Sequence, residues 1–291
     1  MNILVTGSKG QLGSELQKIA VLHPEHQWFF TDVDELDITK ATEVNQFFHA
    51  HNINLCLNCA AYTAVDKAEE EPEKAFLINA SAVGVIADAC LENHALFVQI
   101  STDYVFDGCH YKPYEEADPI RAVSVYGKSK AAGEALIAGH DCNSIVIRTA
   151  WLYSAHGNNF VKTMIRLGNE RSELKVVADQ IGSPTWAADL AQAAFQLSTH
   201  FVGQKEKEII HFSNEGAISW YDFAQTIMEI CQIPCQIHAI PSSEYPAKTP
   251  RPHYSVLSKE KYKKILRTEV PYWKVSLQKC IHELNGKSQT K

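Results

Sequence analysis

The stretch Ile3-Leu4-Val5-Thr6-Gly7-Ser8-Lys9-Gly10-Gln11-Leu12-Gly13 decides the fold. Residues 2–6 read as a short apolar strand and the glycines as a tight turn, after which Leu12, Leu16, Ile19 and Ala20 fall at helical spacing. Strand, glycine turn and helix is the context that a dinucleotide fingerprint needs. The spacing is GxxGxxG rather than GxGxxG, but the physical logic is the same. Glycines let the backbone approach a pyrophosphate, whose charge is met by the helix N-terminus. Steric needs alone place glycine in many such turns, so this one takes its meaning from the rest of the chain.

Trp28-Phe29-Phe30-Thr31-Asp32 reads as a second strand ending in an acid, about twenty residues on, where a carboxylate would hydrogen-bond the adenosine ribose. A carboxylate there disfavours the 2′-phosphate of NADP, and no arginine stands beside it, so the reading leans towards NADH. Asp34 competes for the same role, Asp37-Ile38 could lie along the adenine, and Asp32 could simply cap the helix that carries Val44, Phe47 and Phe48. Residues 53–61 form a third strand, apolar throughout as buried parallel strands are, ending in Asn58-Cys59-Ala60-Ala61-Tyr62. Residues 63–74 read as a solvated acidic helix or loop, and 76–90 as a helix with Asn79 its one polar oddity. Ala95 to Ser101 is a fourth strand, running into Thr102-Asp103-Tyr104, hydroxyls at a strand's C-terminal end where such sheets bind ligands.

Next comes Val125-Tyr126-Gly127-Lys128-Ser129-Lys130. Tyr126 and Lys130 are four apart on a helical segment, so they share a face. A phenol is a poor acid at neutral pH, and an ammonium held close favours the phenolate and makes it a usable proton donor. Ser144 to Arg148 is a further strand. The alternation of strands and helices predicts an α/β protein with a Rossmann-type, doubly wound parallel sheet. Beyond residue 153 the rhythm loosens. Phe160 to Leu167 is amphipathic, Ser183-Pro184 reads as the cap of a helix through Leu197, 209–212 as a strand, 220–231 as a helix, and 236–260 as a proline-rich irregular stretch. The expected organisation is a dinucleotide-binding domain over 1–153, with additions from about 183–214, and a smaller interleaved substrate lobe over 154–182 and 215–285.

Composition narrows the function. The 291 residues are 45% apolar, enough for a sizeable core, and the net charge of −7 gives no basic footprint for nucleic acid. No apolar run reaches the length of a membrane span and no signal peptide is evident, so a cytoplasmic protein is expected, with neither nucleic acid nor membrane as partner. Of the eight cysteines, Cys56 and Cys59 form a lone CxxC inside a strand that would point them to opposite faces. Buried free thiols and no catalytic metal are the reading.

With these features in hand the chain resembles the extended short-chain dehydrogenase/reductase superfamily, and within it the dTDP-4-dehydrorhamnose reductase family. The likeness runs through 101–107, 125–134, 148–153 and Gly157-Asn158-Asn159-Phe160. It continues in Asp179-Gln180-Ile181-Gly182-Ser183-Pro184-Thr185, Ser219-Trp220-Tyr221-Asp222-Phe223 and Arg251-Pro252. It implies reduction of the 4-keto group of dTDP-4-dehydro-L-rhamnose by NADPH or NADH. It further implies that Thr102 polarises the substrate carbonyl, that Tyr126 donates the proton, and that Lys130 lowers the Tyr126 pKa and holds the nicotinamide ribose. Gly7, Gly10, Gln11 and Leu12 would line the pyrophosphate, with Asp32, Asp37 and Ile38 around the adenosine and Ala60, Ala61 and Tyr62 along the cofactor. Val65, Tyr104 and Trp151 would line the sugar pocket, and Arg251 would meet the diphosphate with a fixed guanidinium fork. Some members are magnesium-linked dimers built on glutamates. Glu15 is present, but Ala188 stands where a second glutamate is expected, so a monomer or weak homodimer is predicted. The competing functions are a nucleotide-sugar 4-epimerase or 4,6-dehydratase and a non-catalytic regulatory subunit. A dehydratase would want an acid/base carboxylate pair directly after the threonine, whereas Asp103 is followed by Tyr104; an epimerase would be told by NAD retained through purification; and a regulatory subunit sits poorly with an intact Thr102, Tyr126 and Lys130.

Overall fold

A computed structural model describes residues 1–246 and 249–288. β1 (Asn2–Thr6) lies inside a six-stranded sheet, paired in parallel with β2 (Gln27–Phe30) on one side and β3 (Leu55–Asn58) on the other. From β3 the sheet continues through β4 (Leu96–Thr102) and β5 (Ser144–Thr149) to an edge strand at Lys207–His211, every pair parallel. The chain thus moves one way from β1 to β2 and then the other, which places the switch in strand order between β1 and β3, at the glycine turn. Open α/β sheets bind ligands in the crevice at such a point.

Strand alternation explains both faces. Ile3, Val5, Leu57, Val98 and Ile147 pack on one side with α1 (Gln11–Leu22) and the helix Ala187–Phe201. Leu4, Cys56, Phe97 and Val146 pack on the other with α2 (Ala41–His51) and the helices Pro72–Glu92 and Val125–Gly139. Cys56 and Cys59 do face opposite cores, and all eight cysteines are free thiols. The helix Pro72–Glu92 is long and apolar enough to cross a membrane by composition, which the sequence reading missed. It is a core helix here, packing Val83, Ile86, Ala87 and Cys90 beneath the sheet.

Tyr153, Val161, Leu174, Phe223, Trp273 and Leu277 centre a separate apolar cluster formed by later elements. Two expectations are corrected in this region. The helix expected from Ser183-Pro184 starts at Ala187, because the preceding residues are used by short strands at Ile181–Gly182 and Thr185–Trp186, and the Ser183 hydroxyl donates to the Gly216 carbonyl (2.5 Å). The irregular stretch after 236 begins with a strand, Gln236–Ile240, paired in parallel with Glu173–Val177.

Candidate active site

A cleft of about 920 Å³ runs across the C-terminal ends of β1, β3, β4 and β5. Its floor at one end is the glycine turn. Gly7 has φ +62°, and a Cβ there would lie 2.7 Å from the Ala60 nitrogen, so only glycine lets the ends of β1 and β3 approach this closely. Gly10 caps α1 with no side chain over its first N–H groups, which leaves the helix N-terminus open to an anion. Gly13 sits where a Cβ would meet the Gly7 carbonyl at 2.5 Å. This cradle fits a dinucleotide pyrophosphate. Gln11 also ties the turn to the later lobe, its Oε1 accepting from Ser154 Oγ (3.2 Å) and Asn159 Nδ2 (2.9 Å).

Along the adenosine side, Asp32 accepts from the backbone N–H of Lys9 (3.2 Å) and of Val33 (2.9 Å), while the Lys9 ammonium pairs with Asp34 (3.3 Å) and Glu35 (3.0 Å). Asp37 takes the hydroxyl and N–H of Thr39, which hold its carboxyl below the usual range, and Ile38 is buried in the core beside it. Leu12, Ala60 and Ala61 line the cleft. Tyr62 is absent from the lining. Its hydroxyl donates to Glu71 (3.0 Å) and Lys74 lies 5.9 Å over its ring, so its side chain is turned into the acidic helical hairpin outside.

At the other end, Thr102 closes β4, and Tyr126 and Lys130 project from the helix Val125–Gly139, whose N-cap Ser124 accepts from Gly127 N–H (3.1 Å). The Thr102 hydroxyl donates to Asp103 (2.9 Å) and accepts from the Tyr104 N–H (3.2 Å). Burial pushes the Asp103 carboxyl up to about 6 and the Tyr104 phenol to about 12. The Tyr104 and Tyr126 rings meet edge to face at 5.4 Å. Lys130 is buried and donates to the Ile100 carbonyl at 2.6 Å; desolvation draws its pKa down to about 8, opposed chiefly by Glu134. The expectation that Lys130 depresses the Tyr126 pKa is not met in this state. Desolvation drives that phenol well above its ordinary value, with only the Thr102 hydroxyl pulling it back, because the Lys130 ammonium is spent on a backbone carbonyl.

Trp151 follows β5 with φ +48°, a rare conformation for an aromatic residue, and stacks on Trp220 at 3.5 Å and 10°. It lines the cleft together with Val65 and Tyr104. Arg251 does not line it. Its Nη2 donates to Asp66 at 2.7 Å, while its Nη1 is buried with no hydrogen-bond partner among the described residues.

Sequence reasoning noticed Asn79 without assigning it. Asn79 sits on a π-turn, Leu77–Ser81, where its Oδ1 accepts from the Tyr62 N–H (2.9 Å) and its Nδ2 donates to the Tyr62 carbonyl and to Ser129 Oγ, each at 3.0 Å. Ser129 in turn donates to the Tyr126 carbonyl (2.8 Å), so one buried amide joins the segment after β3 to the helix that carries Tyr126. A lone amide in an apolar helix was the available signal. Ligand-type atoms of Glu15, His156 and Glu283 also lie within 4.8 Å of one another, a grouping invisible to short-range metal motifs. The Lys18 ammonium reaches Glu15 (2.7 Å) and Glu283 (2.6 Å), so a side-chain cation already serves the two carboxylates.

A parallel sheet with this cradle at its switch point, and a threonine, tyrosine and lysine at the far end of one cleft, is the construction of a nicotinamide-dependent short-chain oxidoreductase. The sequence profile described as "RmlD substrate binding domain" matches residues 1–285. The chain is 39% identical to the dTDP-4-dehydrorhamnose reductase of Aggregatibacter actinomycetemcomitans, over 94% of this chain and 96% of that one. Among solved structures, a dTDP-4-dehydrorhamnose reductase from Clostridium acetobutylicum superposes with a TM-score of 0.92 at 41% identity, covering 98% of this chain and all (100%) of the other. The enzyme of that name from Bacillus anthracis, solved in complex with NADP, gives 0.92 at 37% identity, covering 97% and 99%. The chain belongs to the dTDP-4-dehydrorhamnose reductase family.

Proposed function

We propose that this protein reduces the 4-keto group of dTDP-4-dehydro-L-rhamnose to give dTDP-L-rhamnose, with Tyr126 as the proton donor. The observation that carries the reading is the convergence of Thr102, Tyr126 and Lys130 at the end of the dinucleotide cleft opposite the glycine turn. A bound NADH or NADPH supplies the hydride to the carbonyl carbon. Thr102 is placed to donate a hydrogen bond to the carbonyl oxygen by releasing Asp103, and Tyr126 gives its proton to that oxygen as negative charge builds there. A phenol whose pKa stands high holds its proton until that moment. Lys130 is near enough along the helix face to stabilise the phenolate that remains and to hold the nicotinamide ribose.

The proposed sugar pocket is Val65, Tyr104 and Trp151, and the lobe over 154–182 and 215–285 seats the nucleotide. Arg251 serves the diphosphate, which has to draw the guanidinium away from Asp66. We further propose a cytoplasmic protein that works as a monomer or weak homodimer.

The test is oxidation of NADH and NADPH at 340 nm with dTDP-4-dehydrorhamnose generated in situ. Wild type should turn over, and Tyr126→Phe should lose at least about 10²-fold in kcat. If wild type is inactive and instead purifies with tightly held NAD, the epimerase reading replaces this one.

A further inference from the structure

Behind Lys130 lies a set of buried charges that the proton transfer itself does not use. Glu134 stands one turn beyond Lys130 on the same helix face and is 5% exposed; Arg148 on β5 is 1% exposed. Arg148 grips the Glu134 carboxylate from the side, through Nε (3.0 Å to Oε1) and Nη2 (2.7 Å to Oε2). Ser101, the register partner of Arg148 across β4 and β5, donates its hydroxyl to Glu134 Oε1 at 2.5 Å. The remaining guanidinium nitrogen, Nη1, is met by the Glu116 carbonyl (3.3 Å) and by His211 Nε2 (3.4 Å). His211 Nδ1 lies 3.1 Å from the Tyr114 carbonyl, so Nδ1 carries the proton and Nε2 accepts from Arg148.

A fully buried ion pair gains little stability over an apolar pair of the same volume, because both ions lose their hydration. Core packing therefore does not account for this one. Its contacts do: the carboxylate touches the residue before Thr102 and sits one turn from Lys130.

We propose that Glu134 is a positioning residue for the reduction: clamped by Arg148, it fixes the Thr102 end of β4 through Ser101 and supplies the counter-charge that keeps Lys130 an ammonium. The proposal rests on the functional reading above. The surroundings of Lys130 leave few alternatives for that counter-charge. From its own helix it is faced by Glu134, from β4 by the Ile100 carbonyl, and from the end of β3 by the Cys59 thiol, which burial keeps protonated. Asp103 and Tyr104 act on Tyr126, and Glu116 and His211 on the Arg148 side.

The test titrates Lys130 directly in protein carrying 13C-labelled lysine, the resonance assigned by its loss in Lys130→Arg. In wild type the midpoint is expected near 8. In Glu134→Gln it should fall by about one pH unit, a tenfold loss of proton affinity, and the alkaline limb of the kcat profile should move down with it. Glu134→Gln leaves Arg148 buried without its partner and is a threat to folding. Glu134→Gln/Arg148→Met restores a neutral core, and a downward shift is expected there too, smaller because a repelling cation leaves as well. An unchanged Lys130 midpoint in a folded variant overturns the proposal, even where activity drops, since a purely structural defect would lower activity without moving the titration. Absence of sugar reduction by wild type would instead sink the functional reading, while the titration still reports whether Glu134 acts on Lys130.

Discussion

Asp32 is the side chain on which the choice of cofactor is expected to turn. Its carboxylate, with Asp34 and Glu35 close by, sets three negative charges against the single Lys9 ammonium, and Lys9 is already committed to two of them. A ribose hydroxyl can donate into such a group, whereas a 2′-phosphate adds a dianion to it. NADH is therefore expected to be the better cofactor. Asp32→Ser should raise the ratio of kcat/KM for NADPH to that for NADH by about tenfold, one opposing charge contact being worth roughly 1.4 kcal/mol. Steady-state rates with each cofactor check this, and an unchanged ratio would mean that Asp32 serves only as the cap for Lys9 and Val33.

The helix Val125–Gly139 is the element on which the site depends, and a glycine governs how closely it lies against Pro72–Glu92. A Cβ on Gly133 would run into the Asn79 carbonyl, which belongs to backbone and cannot swing away. Alanine is the better helix former, yet Gly133→Ala is expected to cost about 2 kcal/mol, read from denaturant midpoints, because it forces apart the π-turn and the Tyr126 helix. The same contact marks where the sequence stops being readable. The glycine turn, the four-residue Tyr126–Lys130 spacing and the apolar runs of β1, β3, β4 and β5 are local, and a short window carries them. The clamp of Asn79 on Tyr62 and Ser129 spans separate elements, and Asp66 lies 185 residues from the arginine it holds. Pairing partners of that kind are fixed by the fold and leave no mark in a short window. Ser183-Pro184 misled for a related reason: serine-proline is a sound helix-start signal, but tertiary pairing of the neighbouring residues with Ile218–Ser219 and Leu152–Tyr153 claimed the segment first. Tyr62 shows a third limit, since its place beside Ala60 and Ala61 says nothing of the Glu71 that turns its ring away.

For the whole molecule, the buried network around Arg148 links folding to pH. His211 is enclosed as a neutral imidazole, its pKa drawn down to about 3 by burial and by the Arg148 charge. A histidine depressed in the folded state is neutral in both states above its unfolded value near 6.5, and there it exacts nothing. Below that value the unfolded chain binds a proton that the folded chain refuses, so stability falls as pH drops from about 6.5 towards 3. The loss attributable to His211 is on the order of 4 kcal/mol by the end of that window. Denaturation of His211→Gln at pH 7 and pH 4.5 should show a lower stability at pH 7 than wild type but a flatter decline between the two. Parallel declines would place the acid sensitivity in other groups.

The Trp151–Trp220 stack also has an optical consequence. Two indoles stacked at 3.5 Å, in a chain with five tryptophans, are expected to couple their electronic transitions, with a paired positive and negative band in the ultraviolet circular dichroism where their in-plane axes are rotated against each other. A sugar nucleotide seated against Trp151 should change that angle or separation and so change the couplet. Titrating dTDP-rhamnose into wild type and into Trp220→Phe would then read occupancy without turnover, the signal present in the first and lost in the second.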